Sequence, residues 1–205
     1  MTTPKPALAL LLALLVLATA WGQAAPRPSV RQVSSLDGQC LVATAKLHDP
    51  HFAKTVVFII AHTGEGAMGL IINRPIGTVS LQDLFGEQGI KNAARVKVAL
   101  RYGGPVENNL GFVLHSDDYA GASTQLFRHG LALSTGLDIV RAVAAGRGPK
   151  RSQFLSGYAG WGAGQLESEI ARGDWLTTPA DPELILSTDP AALWEKALRH
   201  AGLSL

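Results

Sequence analysis

Histidines near predicted strand ends are the residues of this sequence best suited to chemistry. The chain has six histidines, and two of them, His62 and His115, each close an apolar run that predicts a strand. Strands that end at one rim of a sheet would bring both imidazoles together with Asn73 and Arg74 in a polar patch. We therefore expect a ligand-binding rim there; alternatively, these histidines cap strands by hydrogen bonding to loop backbone.

A second pair of histidines surrounds a proline turn. His48-Asp49-Pro50-His51 places two imidazoles and a carboxylate close together, which could hold a metal ion. The spacing lacks the helical i,i+4 geometry of zinc peptidases, and no third ligand follows nearby. A surface turn fits the pattern better, so the sequence predicts no metal site and no cofactor.

The glycine-rich stretch from Gly157 to Glu167 could aim backbone N–H groups at an anion. It lacks the third glycine of a dinucleotide fingerprint and the Gly-Lys-Ser/Thr of a phosphate-binding loop. We favour the alternative that these glycines permit tight packing around Trp161 and Tyr158.

Composition and motifs exclude several classes of function. Lys plus Arg (18) and Asp plus Glu (16) give a net charge of +2, so no strong field favours nucleic acid or anionic membranes. The single cysteine, Cys40, excludes an internal disulfide and is expected to be buried. The sequence contains no G-x-S-x-G nucleophile motif. These features favour a non-enzymatic domain.

The pattern of elements predicts an α+β fold with a mainly antiparallel sheet, because strands outnumber helices and occur in neighbouring pairs. A short helix follows the N-cap Ser80, with Asp83 completing a near capping box. Strands are predicted over 39–47, 55–62, 67–73, 96–102, 111–115, 127–134, 152–158 and 174–178, and further helices over 138–146, 165–172 and 190–201.

The first residues resemble an export signal. Lys5 precedes a fourteen-residue apolar run, Ala7 to Ala20, which is shorter than the about 20 residues of a membrane span. We predict a signal peptide over 1–24 with cleavage after Ala24, a flexible lead-in over 25–35 and one domain over 36–205. The mature protein would be periplasmic or secreted without a membrane span, or cytosolic if the start codon is misassigned.

Several long motifs resemble the YqgE/AlgH family of bacterial proteins. They lie at 49–57, 62–75, 103–106, 111–116 and 157–167, and the resemblance extends over about 36–202. It implies a compact α+β domain whose sheet is partly barrel-like, and no established active site. The family is associated with transcriptional regulation, but an exported protein cannot act directly on a promoter.

We therefore expect a non-enzymatic binding or regulatory domain, exported here, that contacts a protein or a small molecule. Direct DNA binding is not expected. Alternatives are a transcriptional regulator in the cytosol and a metal-assisted hydrolase that uses His48, His51, His62 or His115. Alanine at Arg74 or His115 should weaken binding and leave stability nearly intact. The candidate binding residues are His62, Asn73, Arg74, Gly104, His115 and Trp161.

Overall fold

The computed structural model describes residues 35–86, 88 and 90–202. The predicted signal peptide, 1–24, and all of the predicted lead-in except Ser35 lie outside the described residues. Within the described part of the chain, no helix is long and apolar enough to cross a membrane.

Ten strands form one mixed sheet, in which every pairing is antiparallel except that of β5 with β9. The order is β10-β1-β2-β3-β9-β6-β8-β7, with β5 also beside β9 and β4 outside β5. The sheet curls into a half-barrel, so the predicted α+β class is confirmed. The strands are β1 Gln39–Ala43, β2 Val56–Thr63, β3 Gly66–Ile71, β4 Pro75–Ser80, β5 Lys97–Tyr102, β6 Val106–Ser116, β7 Thr124–Leu126, β8 Leu131–Ser134, β9 Ser152–Gly162 and β10 Trp175–Pro179.

Strand β9 is the centre of the sheet. One of its edges pairs with β6, while β5 and β3 share the other edge, β5 along the first half and β3 along the second. The predicted strand over 152–158 was too short, because Gly66 to Gly69 of β3 continue the ladder to Gly162. Residues 159–162 therefore belong to a strand rather than to a glycine-rich turn.

Among the described residues, five α-helices cover the sheet, four of which the sequence predicted. Ser80 and Asp83 form the predicted capping box at α1, and Gly173 ends α3 in the left-handed conformation. The last helix starts at Leu193 rather than at Pro190, and the sequence analysis missed α4, β4 and β7. The helices are α1 Leu81–Phe85, α2 Leu137–Ala144, α3 Gln165–Arg172, α4 Pro182–Ile185 and α5 Leu193–His200.

The core consists of three clusters of apolar side chains on the two faces of the sheet. One includes residues of α4 and α5, another includes Leu166 of α3, and the third lies beneath α1 and α2. Cys40 is fully buried, as predicted, and burial raises the pKa of its thiol to about 12. Because only a thiolate is strongly nucleophilic, Cys40 is a packing residue.

Candidate functional site

The six predicted site residues do not form one rim. His115 pairs with Ser152 at the start of β9, whereas Trp161 near its end pairs with Ala67, the partner of His62. The ten residues of extended chain from 152 to 161 are nine steps of about 3.3 Å, or about 30 Å. The expectation that His62 and His115 share a rim is therefore wrong, and a binding role for each stays a prediction.

His62 of β2 connects its own strand to two other segments, the residues before β1 and helix α3. The Leu36 N–H donates to His62 Nδ1 over 3.1 Å, so Nε2 carries the proton and donates to Glu167 Oε1 over 2.8 Å. The backbone N–H of Glu167 itself, and then His62, lower the pKa of the Glu167 carboxyl. This histidine joins the segment before β1 to helix α3.

Trp161 belongs to a buried aromatic cluster. Its ring lies 6.0 Å from that of Trp175 and 6.2 Å from that of Phe52, measured between ring centroids. Both indole N–H groups donate to the same oxygen, Oε2 of Glu169, each over 2.9 Å. In the glycine-rich stretch beside it, the Gly162 N–H donates to the Gln165 side chain over 3.1 Å.

Asn73 and Arg74 hold the turn that carries His48 and His51. Asn73 accepts from the Val56 N–H over 2.9 Å and donates to the Lys54 carbonyl over 2.9 Å. Arg74 donates to the Pro50 carbonyl over 2.8 Å. Among the described residues, no three His, Cys, Asp or Glu side chains are grouped so that they could hold a metal ion.

Gly104 is required by a backbone crossing. Its φ is +154°, and a Cβ built there would lie 2.1 Å from the carbonyl carbon of Tyr158 on β9. The segment after β5 thus passes directly against the central strand. Close packing against β9 is therefore sufficient to explain why position 104 is a glycine.

His115 lies in a buried chain of hydrogen bonds. Its Nε2 is 2.9 Å from Ser134 Oγ, which is 2.7 Å from Thr124 Oγ1, and its Nδ1 is 2.8 Å from the Ser116 carbonyl oxygen. The carbonyl can only accept, so Nδ1 carries the proton and Ser134 donates to Nε2. This arrangement resembles a serine–histidine pair, but His115 and Ser134 are both 0% exposed.

We expect His115→Ala to lower the free energy of unfolding by about 2–4 kcal/mol, since it leaves a cavity and an unpaired buried hydroxyl. This replaces the expectation of nearly intact stability. Urea unfolding checks it, with the exposed His48→Ala as a control that should change the value by less than about 0.5 kcal/mol.

The same histidine predicts a pH dependence. Burial holds the pKa of His115 below its usual value. Below about pH 6.5, this histidine therefore binds a proton more readily in the unfolded chain than in the folded chain. Stability contributed by neutral His115 is present above about pH 6.5 and is lost progressively as the pH falls below that value. His115→Gln should lose less stability than wild type over that interval; equal losses would contradict the assignment.

A cleft with a volume of about 400 Å³ lies on the sheet face beneath α1 and α2. Its floor comes from β5, β6 and β9, α1 forms one wall, and the first turn of α2 forms the other. Asn108 and Asn109, in the irregular part of β6 between Val106 and Gly111, stand at its rim. The residues that line the cleft are Asp83, Leu84, Phe85, Leu100, Asn108, Asn109, Gly111, Phe112, Val113, Ser134, Thr135, Gly136, Leu137, Val140, Phe154, Leu155 and Ser156.

Gly111 leaves space in the floor of this cleft. A Cβ at Gly111 would meet no heavy atom within 4 Å, and its φ is outside the left-handed range. The irregular part of β6 beside it is held by a hydrogen bond from the Ser156 hydroxyl to the Asn108 carbonyl. A larger side chain at position 111 would therefore reduce the cleft without straining the backbone.

Asp83 is the only charged residue among those that line the cleft in the described part of the chain. A hydrogen bond from the Ser80 hydroxyl is the main cause that holds the pKa of the Asp83 carboxyl below its usual value, so it is ionised at neutral pH. The remaining polar groups are neutral amides and hydroxyls. The cleft thus combines apolar side chains with one carboxylate and several neutral polar groups.

Sequence reasoning missed the cleft although it noticed two of its parts. The Ser80 capping box and the motif that begins at Gly111 were both recognised, but as unrelated features. Nothing in the linear pattern reports that α1, α2 and β6 meet, because those contacts join segments far apart in the chain. Only the curvature of the sheet brings them together.

Comparison of the sequence identifies close relatives. The AlgH-like family model matches residues 40–205. A UPF0301 protein of Methylococcus capsulatus is 53% identical over 168 residues, covering 82% of this chain and 92% of that protein. A UPF0301 protein of Rhodospirillum rubrum is 43% identical over 169 residues, covering 82% of this chain and 88% of that protein.

Two solved structures have the same fold. The solution structure of the AlgH protein from Pseudomonas aeruginosa, a UPF0301 protein, superposes with a TM-score of 0.71 and 36% identity, covering 89% of this chain and 93% of that one. A crystal structure of a Corynebacterium diphtheriae protein superposes with a TM-score of 0.64 and covers 79% of this chain and 85% of that one. Its identity of 21% makes it evidence for the fold alone.

Proposed function

Because this chain belongs to the AlgH-like family, a family of unknown function, we propose from its own geometry that it is a non-enzymatic binding domain whose contact site is the cleft between α1, α2 and β6. The observation that carries this proposal is the open floor at Gly111 in a cavity of about 400 Å³ that is lined in part by apolar side chains. That volume lies within the usual range for ligand pockets.

Catalysis has less support. Ser134 is among the residues that line the cleft, but Ser134 and its hydrogen-bond partner His115 are both 0% exposed. His62 donates to Glu167, and His51 lies 3.4 Å from the Tyr102 hydroxyl. The four histidines considered for a hydrolase therefore belong to three separate environments.

A neutral apolar dye tests cleft binding. We expect N-phenyl-1-naphthylamine to bind saturably, with enhanced fluorescence, because the cavity removes its rings from water. Gly111→Leu should abolish this signal and leave thermal stability unchanged, since the added side chain projects into open space. The matched control is Gly64→Leu, an exposed turn glycine that also has no heavy atom near its Cβ. Equal dye binding by both variants would contradict the proposal.

We also propose that the protein acts outside the cytoplasm. The support is the order of Lys5, an uncharged apolar run and the small residues that end at Ala24. Cell fractionation with intact-mass measurement should find a periplasmic or secreted species that begins at Ala25. A cytosolic product that retains residues before Ala24 would contradict export and restore regulation in the cytosol as a candidate.

A further inference from the structure

A strand edge opens into the cleft where β8 ends. Strand β8 pairs with β6 from Ser116↔Leu131 to Val113↔Ser134 and no further. Beyond Ser134 the chain turns at Gly136 into α2, whereas β6 continues through Gly111 in the other direction. Gly136 would lie opposite Gly111 if the ladder continued, but the two residues do not pair, and both line the cleft.

The backbone of Gly111 points toward this open position. The Ser116 N–H donates to the Arg151 carbonyl on the β9 side, and the Asp117 N–H donates to the Gly130 carbonyl on the β8 side. Successive residues of a strand direct their backbone groups to alternate sides, so Gly111 directs its N–H and C=O toward the β8 side. Among the described residues, neither group has a hydrogen-bond partner there, and Gly111 is exposed.

Side chains around this edge suit a peptide. Beside it lies the apolar cavity between α1 and α2, large enough for one bulky side chain, and the amide side chains of Asn108 and Asn109 stand at the rim. Side-chain amides can both donate to and accept from a peptide group. Leu110, next to Gly111, is 40% exposed and adds apolar surface beside the edge.

We propose that the cleft binds an extended peptide, which adds a short strand antiparallel to β6 beside Gly111 and inserts one large apolar side chain between α1 and α2. Main-chain hydrogen bonds provide affinity in this mode, and the side-chain pocket provides specificity. The inference rests on the proposed function of the cleft and names the class of its ligand.

The charges near the edge select against acidic peptides. Asp83 lines the cleft and Glu107 is an exposed residue of the irregular part of β6. Lys97, the first residue of β5, is the cation whose charge helps to lower the pKa of Asp83. It does not line the cleft. A neutral or basic segment is therefore the occupant.

The test uses the acetylated and amidated hexapeptide TKVLVT with ¹⁵N-labelled protein. We expect it to shift the Gly111 amide resonance and to slow exchange of that amide hydrogen. Two further versions of the peptide carry N-methyl groups at alternate residues. Each version lacks the N–H groups along one edge of the extended peptide, and the two versions differ in which edge is blocked. Only one edge can face β6, so one version should bind about tenfold more weakly and the other unchanged.

Variants and the dye separate the possible failures. Gly111→Leu should lose peptide binding, whereas Gly64→Leu should retain it, and replacing the peptide leucine by alanine should weaken binding about tenfold. Equal binding by both N-methylated versions would overturn strand addition. If the dye binds the cleft and no peptide does, strand addition is wrong and the proposed function stands; if neither binds, both are wrong.

Discussion

Gly104→Ala is expected to abolish folding. The new Cβ would lie 2.1 Å from the carbonyl carbon and 2.2 Å from the carbonyl oxygen of Tyr158, and both are backbone atoms of the central strand. The φ of +154° adds strain for any residue with a side chain. Because β9 is paired along both edges, it cannot move aside. We expect a loss of about 4 kcal/mol or more, which is enough to remove most of a domain's stability.

Soluble yield and thermal unfolding of the purified protein measure this effect. The matched control is Gly111→Ala, the same change at a glycine whose added methyl group meets open space. It should alter the free energy of unfolding by less than about 1 kcal/mol. A soluble Gly104→Ala variant with wild-type stability would show that the crossing between the 103–104 segment and β9 is wrongly described.

Glu169→Ala is expected to lower the free energy of unfolding by about 3 kcal/mol. The indoles of Trp161 and Trp175, which are 6% and 2% exposed, both donate to Glu169 Oε2. Removing the carboxylate leaves two buried donors without a partner, and each costs about 1–3 kcal/mol. Urea unfolding followed by tryptophan fluorescence and by circular dichroism reports both the loss and the change around the indoles.

Two variants distinguish hydrogen bonding from charge. Glu169→Gln keeps an acceptor oxygen for the indoles, so it should lose less than half as much stability as Glu169→Ala. Glu65→Ala removes a carboxylate from an exposed turn and should stay within about 0.5 kcal/mol of wild type. If all three variants have the same stability, the indoles obtain their acceptors elsewhere and Trp161 is again available for a binding role.

Local patterns in the sequence determined the elements with strong local signals. The β-branched run before His62 and the apolar run after Gly66 predict the β2–β3 hairpin, which the structure confirms. Ser80 and Asp83 predict the start of α1 because a capping box depends only on residues three apart. The motifs that resemble the YqgE/AlgH family also came from the sequence, and the family is confirmed.

Elements that depend on neighbouring strands escaped prediction. Strand β4 begins at Pro75 and exists because β5 supplies its ladder, and residues 159–162 are a strand because β3 pairs with them. Only the second half of the predicted strand over 127–134 is a strand. The first half contains a 3₁₀ turn, in which His129 adopts a positive φ. Strand formation depends on partners distant in sequence, so a local pattern cannot decide these boundaries.

In the candidate site, too, the sequence determined some features and the tertiary structure determined others. The sequence by itself identified polar and glycine residues at strand ends, including His62, Gly104 and His115, because residue type and position in an element are local properties. Only the tertiary structure decided what each does, since the pairing along β9 places His62 and His115 far apart and presses Gly104 against Tyr158. The open edge at Gly111 exists because β8 ends where α2 begins, and that termination is a property of packing between segments rather than of any one of them.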